Sequence, residues 1–177
     1  MTRKLNLGSG SDIKKGYINL DIFKVEGVDV VHDLSIYPYP FEDNYFEEII
    51  AIHILEHLPD TVQTLKELWR IAKPEAKIII RVPYWNSIDS ITDPTHLKLF
   101  NEYSFDFFDP RKKHFKNRSY YNYPQYRIDK ITYFIYLGRY IGYRKINSKL
   151  LKHILGSLAH IWGNVIRVLE FELRKIG

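Results

Sequence analysis

The 177-residue chain contains no cysteine and a single methionine. Without thiols it has no disulfide framework, no thiolate metal site and no cysteine nucleophile, so redox chemistry says nothing about its compartment. Long hydrophobic runs are missing too. No uninterrupted apolar stretch reaches the roughly 18 residues of a membrane-spanning helix. The opening MTRK leads straight into an apolar strand, so no signal peptide is expected and the expected compartment is the cytoplasm. Repeats and low-complexity linkers are also lacking.

Charge is uneven. Lys and Arg number 26 against 21 Asp and Glu, a formal net charge of +5. Basic residues gather at 111–118 (RKKHFKNR) and from Arg139 onward, whereas Glu42, Asp43, Glu47, Glu48 and Glu56 lie in the first half. A solvated basic face accounts for this, although the second half would also suit an acidic target. Aromatic residues are plentiful at 15%, with 14 Tyr and 10 Phe, which argues against disorder and for a filled core or a ring-lined pocket. At this length one domain buries about 70% of its unfolded surface.

The most informative stretch is LNLGSG, residues 5–10, together with Asp21 at the end of YINLD. It reads as strand, glycine turn, second strand. Gly8 and Gly10 allow a tight turn and close approach to a ligand, where a side chain at either would stand. Asp21 is placed to accept hydrogen bonds from ribose hydroxyls, with Ile22 beside it. A dinucleotide fingerprint would need a third glycine and a later acidic residue. Here Gly10 is followed by SDIKKG, with hardly room for a first helix whose amino terminus could hold a pyrophosphate. A nucleoside cofactor without phosphates fits better.

With these residues the chain resembles the class I S-adenosylmethionine-dependent methyltransferases, in particular a short form with a truncated first helix. The resemblance runs through VHDL, HILEHLP and the PYW to DPTH segment, over about residues 4–108. It implies S-adenosyl-L-methionine as cofactor, bound by Gly8, Ser9, Gly10, Asp21 and Ile22. It further implies that Asp33 meets the adenine amino group with Leu34 alongside, and that His53 lines the cofactor cleft at the end of the fourth strand. A turn cap is the structural alternative for Asp33. Family members often have Lys-Pro-Gly-Gly after the helix that follows, where this chain has KPEA, at a turn remote from the cofactor.

HILEH, residues 53–57, also has the spacing of the inverted zinc peptidase motif. That chemistry needs His53 and His57 on one helical face, with a third ligand downstream. Pro59 and the strand preceding His53 oppose such a helix. The convincing helix begins later, with Asp60 as N-cap and Gln63 three positions on. No metal is expected, and a zinc hydrolase built on His53 and His57 is a minor alternative; Glu56 and His57 are expected to hold the loop. A non-catalytic scaffold of the same fold is the other alternative.

An acceptor belongs beyond the fifth strand, because open α/β sheets bind ligands outside the carboxyl ends of their strands. Tyr84 and Trp85 leave that strand, and DPTHLKLF then offers Asp93 and His96. His96 is the candidate base for an acceptor hydroxyl, with Asp93 orienting its imidazole. The acceptor is expected to be a small or carbohydrate-like molecule. The basic aromatic segment 111–126 could form a lid, a carbohydrate-stacking surface or an anion site; lacking any nucleic-acid signature, it is not expected to bind nucleic acid.

YRIDKITYFIYLG predicts a late strand or hairpin arm. From Asn147 to Lys175, apolar residues recur at i, i+3 and i+4, predicting an amphipathic helix that either breaks near Gly156 or Gly163 or extends toward a homodimer contact or a membrane surface. The predicted architecture is a Rossmann-like three-layer α/β sandwich, mostly parallel, with an antiparallel element near its end. A methyltransferase-like domain spans 1–145, and the carboxyl-terminal helix spans 146–177.

Overall fold

The computed structural model describes residues 3–118, 120–121, 123–137 and 142–176. Four short apolar runs form parallel strands: β1 (Lys4–Leu7), β2 (Ile18–Asp21), β3 (Val30–Val31) and β4 (Phe46–Ile52). Helix α1 (Thr61–Ile71) begins at Asp60, whose side chain accepts from the Gln63 N–H at 2.9 Å as the capping pattern predicts. Strand β5 (Ala72–Pro83) follows directly, and Glu75 of its KPEA turn adopts φ +60°. Then come short helices α2 (Ile88–Thr92) and α3 (Lys113–Lys116), strands β6 (Tyr126–Tyr136) and β7 (Tyr143–Ile146), helix α4 (Lys149–Ala159) and strand β8 (Val168–Lys175).

All eight strands make one sheet in the order β3-β2-β1-β4-β5-β8-β6-β7. β1 to β5 are parallel, whereas β8 pairs antiparallel with both β5 and β6, and β6 with β7. The chain leaves β1 in one direction and reaches β4 on its other side, so the topological switch point lies between these two strands.

One expectation needs correction. The helix predicted over residues 147–175 ends at Ala159, and residues 168–175 are a strand. Leu169 and Leu173 are four apart, a spacing that fits both a helix face and a strand face. Phe171 between them decides it, because strand alternation buries 169, 171 and 173 together while Glu170, Glu172 and Arg174 point the other way. The third strand is only Val30–Val31, since Asp33 begins a turn. Arg139, one of the basic residues singled out above, lies outside the described residues.

Register puts Ile78, Ile80 and Val82 on the same sheet face as Leu173, Phe171 and Leu169. That face carries the core. Helix α1 packs there through Leu65, Leu68 and Ile71, with the Tyr126 hydroxyl donating to the Leu65 carbonyl at 2.6 Å. Phe105 stacks on Phe100 and meets Phe171 edge-on at 4.6 Å, while Gly156 of α4 lies against Glu102. The opposite face is half exposed and crossed by ion pairs, Lys77 with Glu172 and Arg81 with Glu170. The layer expected on that side is reduced, because residues 8–17 join β1 to β2 by turns alone.

The strand assignment is testable by urea unfolding. Phe171→Ala should remove about 3–5 kcal/mol of stability. Glu172→Ala, on the half-exposed face, should cost less than about 1 kcal/mol.

Candidate active site

The glycine turn after β1 is fixed by its neighbours. Gly8 has φ +66°, and a Cβ built there would lie 2.5 Å from Cγ1 of Ile54. Gly8 is therefore needed for the approach of the β1 turn to the loop after β4, rather than for ligand space as expected. Gly10 has φ +50°, and its added Cβ would meet only open space. The Gly10 N–H donates to Oδ2 of Asp21 at 2.7 Å, and Oδ1 of Asp21 accepts from the Phe23 N–H at 3.1 Å. Asp21 thus ties the ends of β1 and β2 and keeps further lone pairs for a ligand.

Beneath this turn, Asn6 donates to Oδ1 of Asn19 at 3.0 Å and to the Asp12 carbonyl at 2.9 Å. Ser9 is buried, with its N–H on the Leu20 carbonyl at 2.9 Å, and its hydroxyl finds no partner. Asp33 caps a turn: its Oδ1 accepts from the Ser35 N–H at 2.8 Å and the Ser35 hydroxyl at 2.7 Å, bonds that hold its carboxyl below the usual carboxylate range. Leu34 is buried and Ile22 is half exposed beside Asp21. Gly8, Ser9, Gly10, Asp21, Ile22 and Asp33 therefore share the carboxyl edge of the parallel strands.

His53 leaves β4 with φ +52°, donating its N–H to the Arg81 carbonyl at 2.9 Å. A 3-10 turn at Leu55–His57 follows, so the long helix that a His53/His57 peptidase would need is not formed. The Glu56 side chain is 1% exposed; its Oε1 lies 3.2 Å from Nδ1 of His53, and its Oε2 is buried with no partner. The Glu56 backbone carbonyl accepts from the N–H groups of Leu97 at 2.8 Å and Lys98 at 3.1 Å, drawing the DPTH loop against the β4 loop.

Within that loop the roles differ from expectation. Nδ1 of His96 lies 2.9 Å from the Ser90 carbonyl, which can only accept, so Nδ1 carries the proton and Nε2 the lone pair in the neutral ring. Asp93 stands 4.0 Å from His96 and does not orient it. Its Oδ1 instead accepts from the Thr95 hydroxyl at 2.7 Å and the Thr95 N–H at 2.9 Å, which together hold the carboxyl below its ordinary value. Having given its proton to Asp93, Thr95 Oγ1 accepts from Nδ1 of His57 at 2.9 Å. His57 is thereby left with its lone pair on Nε2. The rings of His57 and His96 meet edge to face at 4.7 Å.

His53, Glu56, His57, Asp93 and His96 line a cleft of about 1010 Å³ with Pro83, Ile88 and Val168 on its apolar side. Its far rim is held by Arg167, which grips Asp89 through two bonds of 2.7 and 2.5 Å and lies over the rings of Tyr136 and Tyr143. His53 stands at the junction of this cleft with the glycine turn, because Ile54 fills the space beside Gly8. The Ser90 and Thr95 contacts were missed from the sequence. Asp-Pro-Thr signals a capped turn, and Thr95 could have been read from it; a backbone carbonyl such as that of Ser90 leaves no mark in a sequence.

A switch point between β1 and β4, a glycine turn and an acidic residue closing β2 are the features of a Rossmann-like nucleotide-binding sheet. Residues 6–80 match the methyltransferase domain family. The match covers less than half of the chain. Among curated proteins, a demethylmenaquinone methyltransferase of Bacillus mycoides (strain KBAB4) is 31% identical over 64 residues, 36% of this chain. The chain matches 27% of that relative's length.

Solved structures extend the likeness in fold to nearly the whole chain. A SAM-dependent methyltransferase from Archaeoglobus fulgidus superposes with a TM-score of 0.63 at 22% identity, covering 98% of this chain and 86% of its own. A second, from Aquifex aeolicus, gives 0.56 at 12% identity, covering 98% and 81%. Phosphoethanolamine N-methyltransferase 2 of Haemonchus contortus, solved with S-adenosyl-L-methionine, gives 0.54 at 13% identity over 99% of this chain and 49% of its own.

The two glycines should respond differently to a methyl group. Gly8→Ala must displace Ile54 as well as strain the backbone, and should lower stability by about 2–4 kcal/mol. Gly10→Ala meets no atom and should cost only the roughly 1–2 kcal/mol of a left-handed non-glycine residue. Equilibrium urea unfolding of both variants reads this difference.

Proposed function

We propose that the protein is an S-adenosylmethionine-dependent methyltransferase acting on a small-molecule or carbohydrate-like acceptor. The observation that carries this reading is the Gly8–Ser9–Gly10 turn, where a buried hydroxyl without a partner lies beside a carboxylate poised at the end of β2. The residues present fit the cofactor. The Ser9 hydroxyl and the N–H groups of the turn would hold its polar end, Asp21 its ribose hydroxyls, and Ile22, Asp33 and Leu34 its adenine side. When bound, the cofactor supplies an electrophilic methyl group on a sulfonium.

The chain's own contribution lies in the cleft that begins at His53. Its apolar side at Pro83, Ile88 and Val168 would align an acceptor, an effect that can supply several kcal/mol of barrier reduction. His57 and His96 present lone pairs at Nε2, which suits removal of an acceptor proton. Asp93 supports this through Thr95 and His57, the route its hydrogen bonds define, rather than through His96. The likeness to a demethylmenaquinone methyltransferase favours an acceptor with an apolar body, as does the lining of the cleft.

The exposed Leu150, Ile154, Ile161 and Trp162 on and just after α4 are where a second copy or a lipid surface would make contact. Among the described residues no helix is long and apolar enough to cross a membrane.

Calorimetric titration of S-adenosylhomocysteine into the purified protein tests the cofactor assignment. Micromolar binding is expected, weakened about tenfold or more by Asp21→Asn, which keeps the shape but removes the charge. Absence of binding in protein shown by circular dichroism to be folded would overturn it. Binding without transfer across a broad acceptor panel would leave a scaffold of the same fold.

A further inference from the structure

Glu56, His57 and His96 each bring one ligand atom to within 4.8 Å of the others, on the floor of the acceptor cleft. Several features of this trio are unusual for a structural hydrogen-bond cluster. Oε2 of Glu56 is buried without a partner, and an unpaired carboxylate oxygen held away from water is costly. Both imidazoles are locked through Nδ1, His96 by the Ser90 carbonyl and His57 by the Thr95–Asp93 relay, so both lone pairs lie on Nε2. Two hydrogen-bond acceptors and a carboxylate have been gathered with no donor among them. Only a cation or a proton donor satisfies all three.

We propose that Glu56, His57 and His96 form a binding site for one divalent transition-metal ion. Two neutral imidazoles and one carboxylate, leaving coordination positions open, suit Zn²⁺ and its first-row neighbours. Outer partners that hold each imidazole by its other nitrogen are the usual support of metal-bound histidine. An ion ~2.1 Å from each ligand atom holds those atoms ~3.4 Å apart, so the trio closes on it by side-chain shifts of about 1 Å. The site differs from the His53/His57 pair of a peptidase motif. His53 binds Oε1 of Glu56 and so orients the carboxylate.

The proposal deepens the methyltransferase reading and rests on it for its purpose. A dication at the cleft floor would bind an acceptor through oxygen and lower the pKa of that hydroxyl, which then releases its proton to solvent near neutral pH. The acceptor class it selects is an oxygen nucleophile, favoured further when a second oxygen on the neighbouring carbon can fill another open position.

The test uses the full-length chain, free of any tag and stripped with chelator, titrated with Co²⁺ alone while visible absorption is recorded. S-adenosylhomocysteine binding is measured on the same sample. One equivalent of Co²⁺ should bind with d–d absorption that Zn²⁺ displaces. His57→Ala and His96→Ala should each weaken Co²⁺ about 100-fold or more, with cofactor affinity changed less than about threefold. Glu56→Gln keeps the shape and should weaken it at least about tenfold; this variant decides the matter if an alanine variant loses its fold. Protein that binds S-adenosylhomocysteine but no stoichiometric Co²⁺ overturns the proposal and leaves the imidazoles as direct proton acceptors. Co²⁺ binding that survives all three substitutions overturns it equally. Co²⁺ bound as described without cofactor binding would instead sink the methyltransferase reading and leave the metal site standing.

Discussion

Everything in the candidate site depends on how closely the turn after β1 approaches the loop after β4. At Gly8 there is no room for a Cβ, because the Ile54 side chain occupies that space. This contact joins two loops that sequence separates by more than forty positions. One carries the buried Ser9 hydroxyl and faces Asp21; the other carries His53, Glu56 and His57. In the proposed reading a nucleoside cofactor and its acceptor would meet where these loops touch, so a packing contact at Gly8 would set the geometry of the reaction.

Glu56 extends the same constraint to the far side of the cleft. Its backbone carbonyl holds Leu97 and Lys98, and its side chain reaches His53, so one residue spans the β4 loop and the DPTH loop. Asp93, Thr95, His57 and Ser90 then fix which nitrogen of each imidazole carries a proton. Placing a carboxylate oxygen in this interior without a donor is destabilising, and the fold tolerates it beside the cleft. Such local violations of polar satisfaction tend to mark functional positions rather than flaws in packing.

Much of the fold was legible in the sequence for a physical reason. β1, β2, β4 and α1 announce themselves by period and cap: short apolar runs ended by glycine or an acidic group, and an Asp60 that accepts from Gln63 as written. The late segment was misread over residues 168–175 because Leu169 and Leu173 satisfy two periods at once; Phe171, on the wrong side of a helical stripe, was the available signal. The glycine turn, Asp21 and His53 were found as candidates because turn chemistry and strand ends are local properties. The trio of Glu56, His57 and His96 was not, since it exists only after two loops dock. Likewise the partner of His96 is a backbone carbonyl, which every residue possesses.

The place of β8 in the sheet has a consequence for how the protein is made. It is synthesised after β5, β6 and β7, yet it lies between β5 and β6. As the ribosome releases the chain, β1 to β5 can assemble while the β6–β7 hairpin has no edge to join. The hairpin must wait, with Ile128 and Phe134 unburied, until residues 168–175 emerge and slot between. The sheet should therefore close in one late, long-range step, and a chain stalled before residue 168 should expose the edges of β5 and β6 in addition to those of β3 and β7.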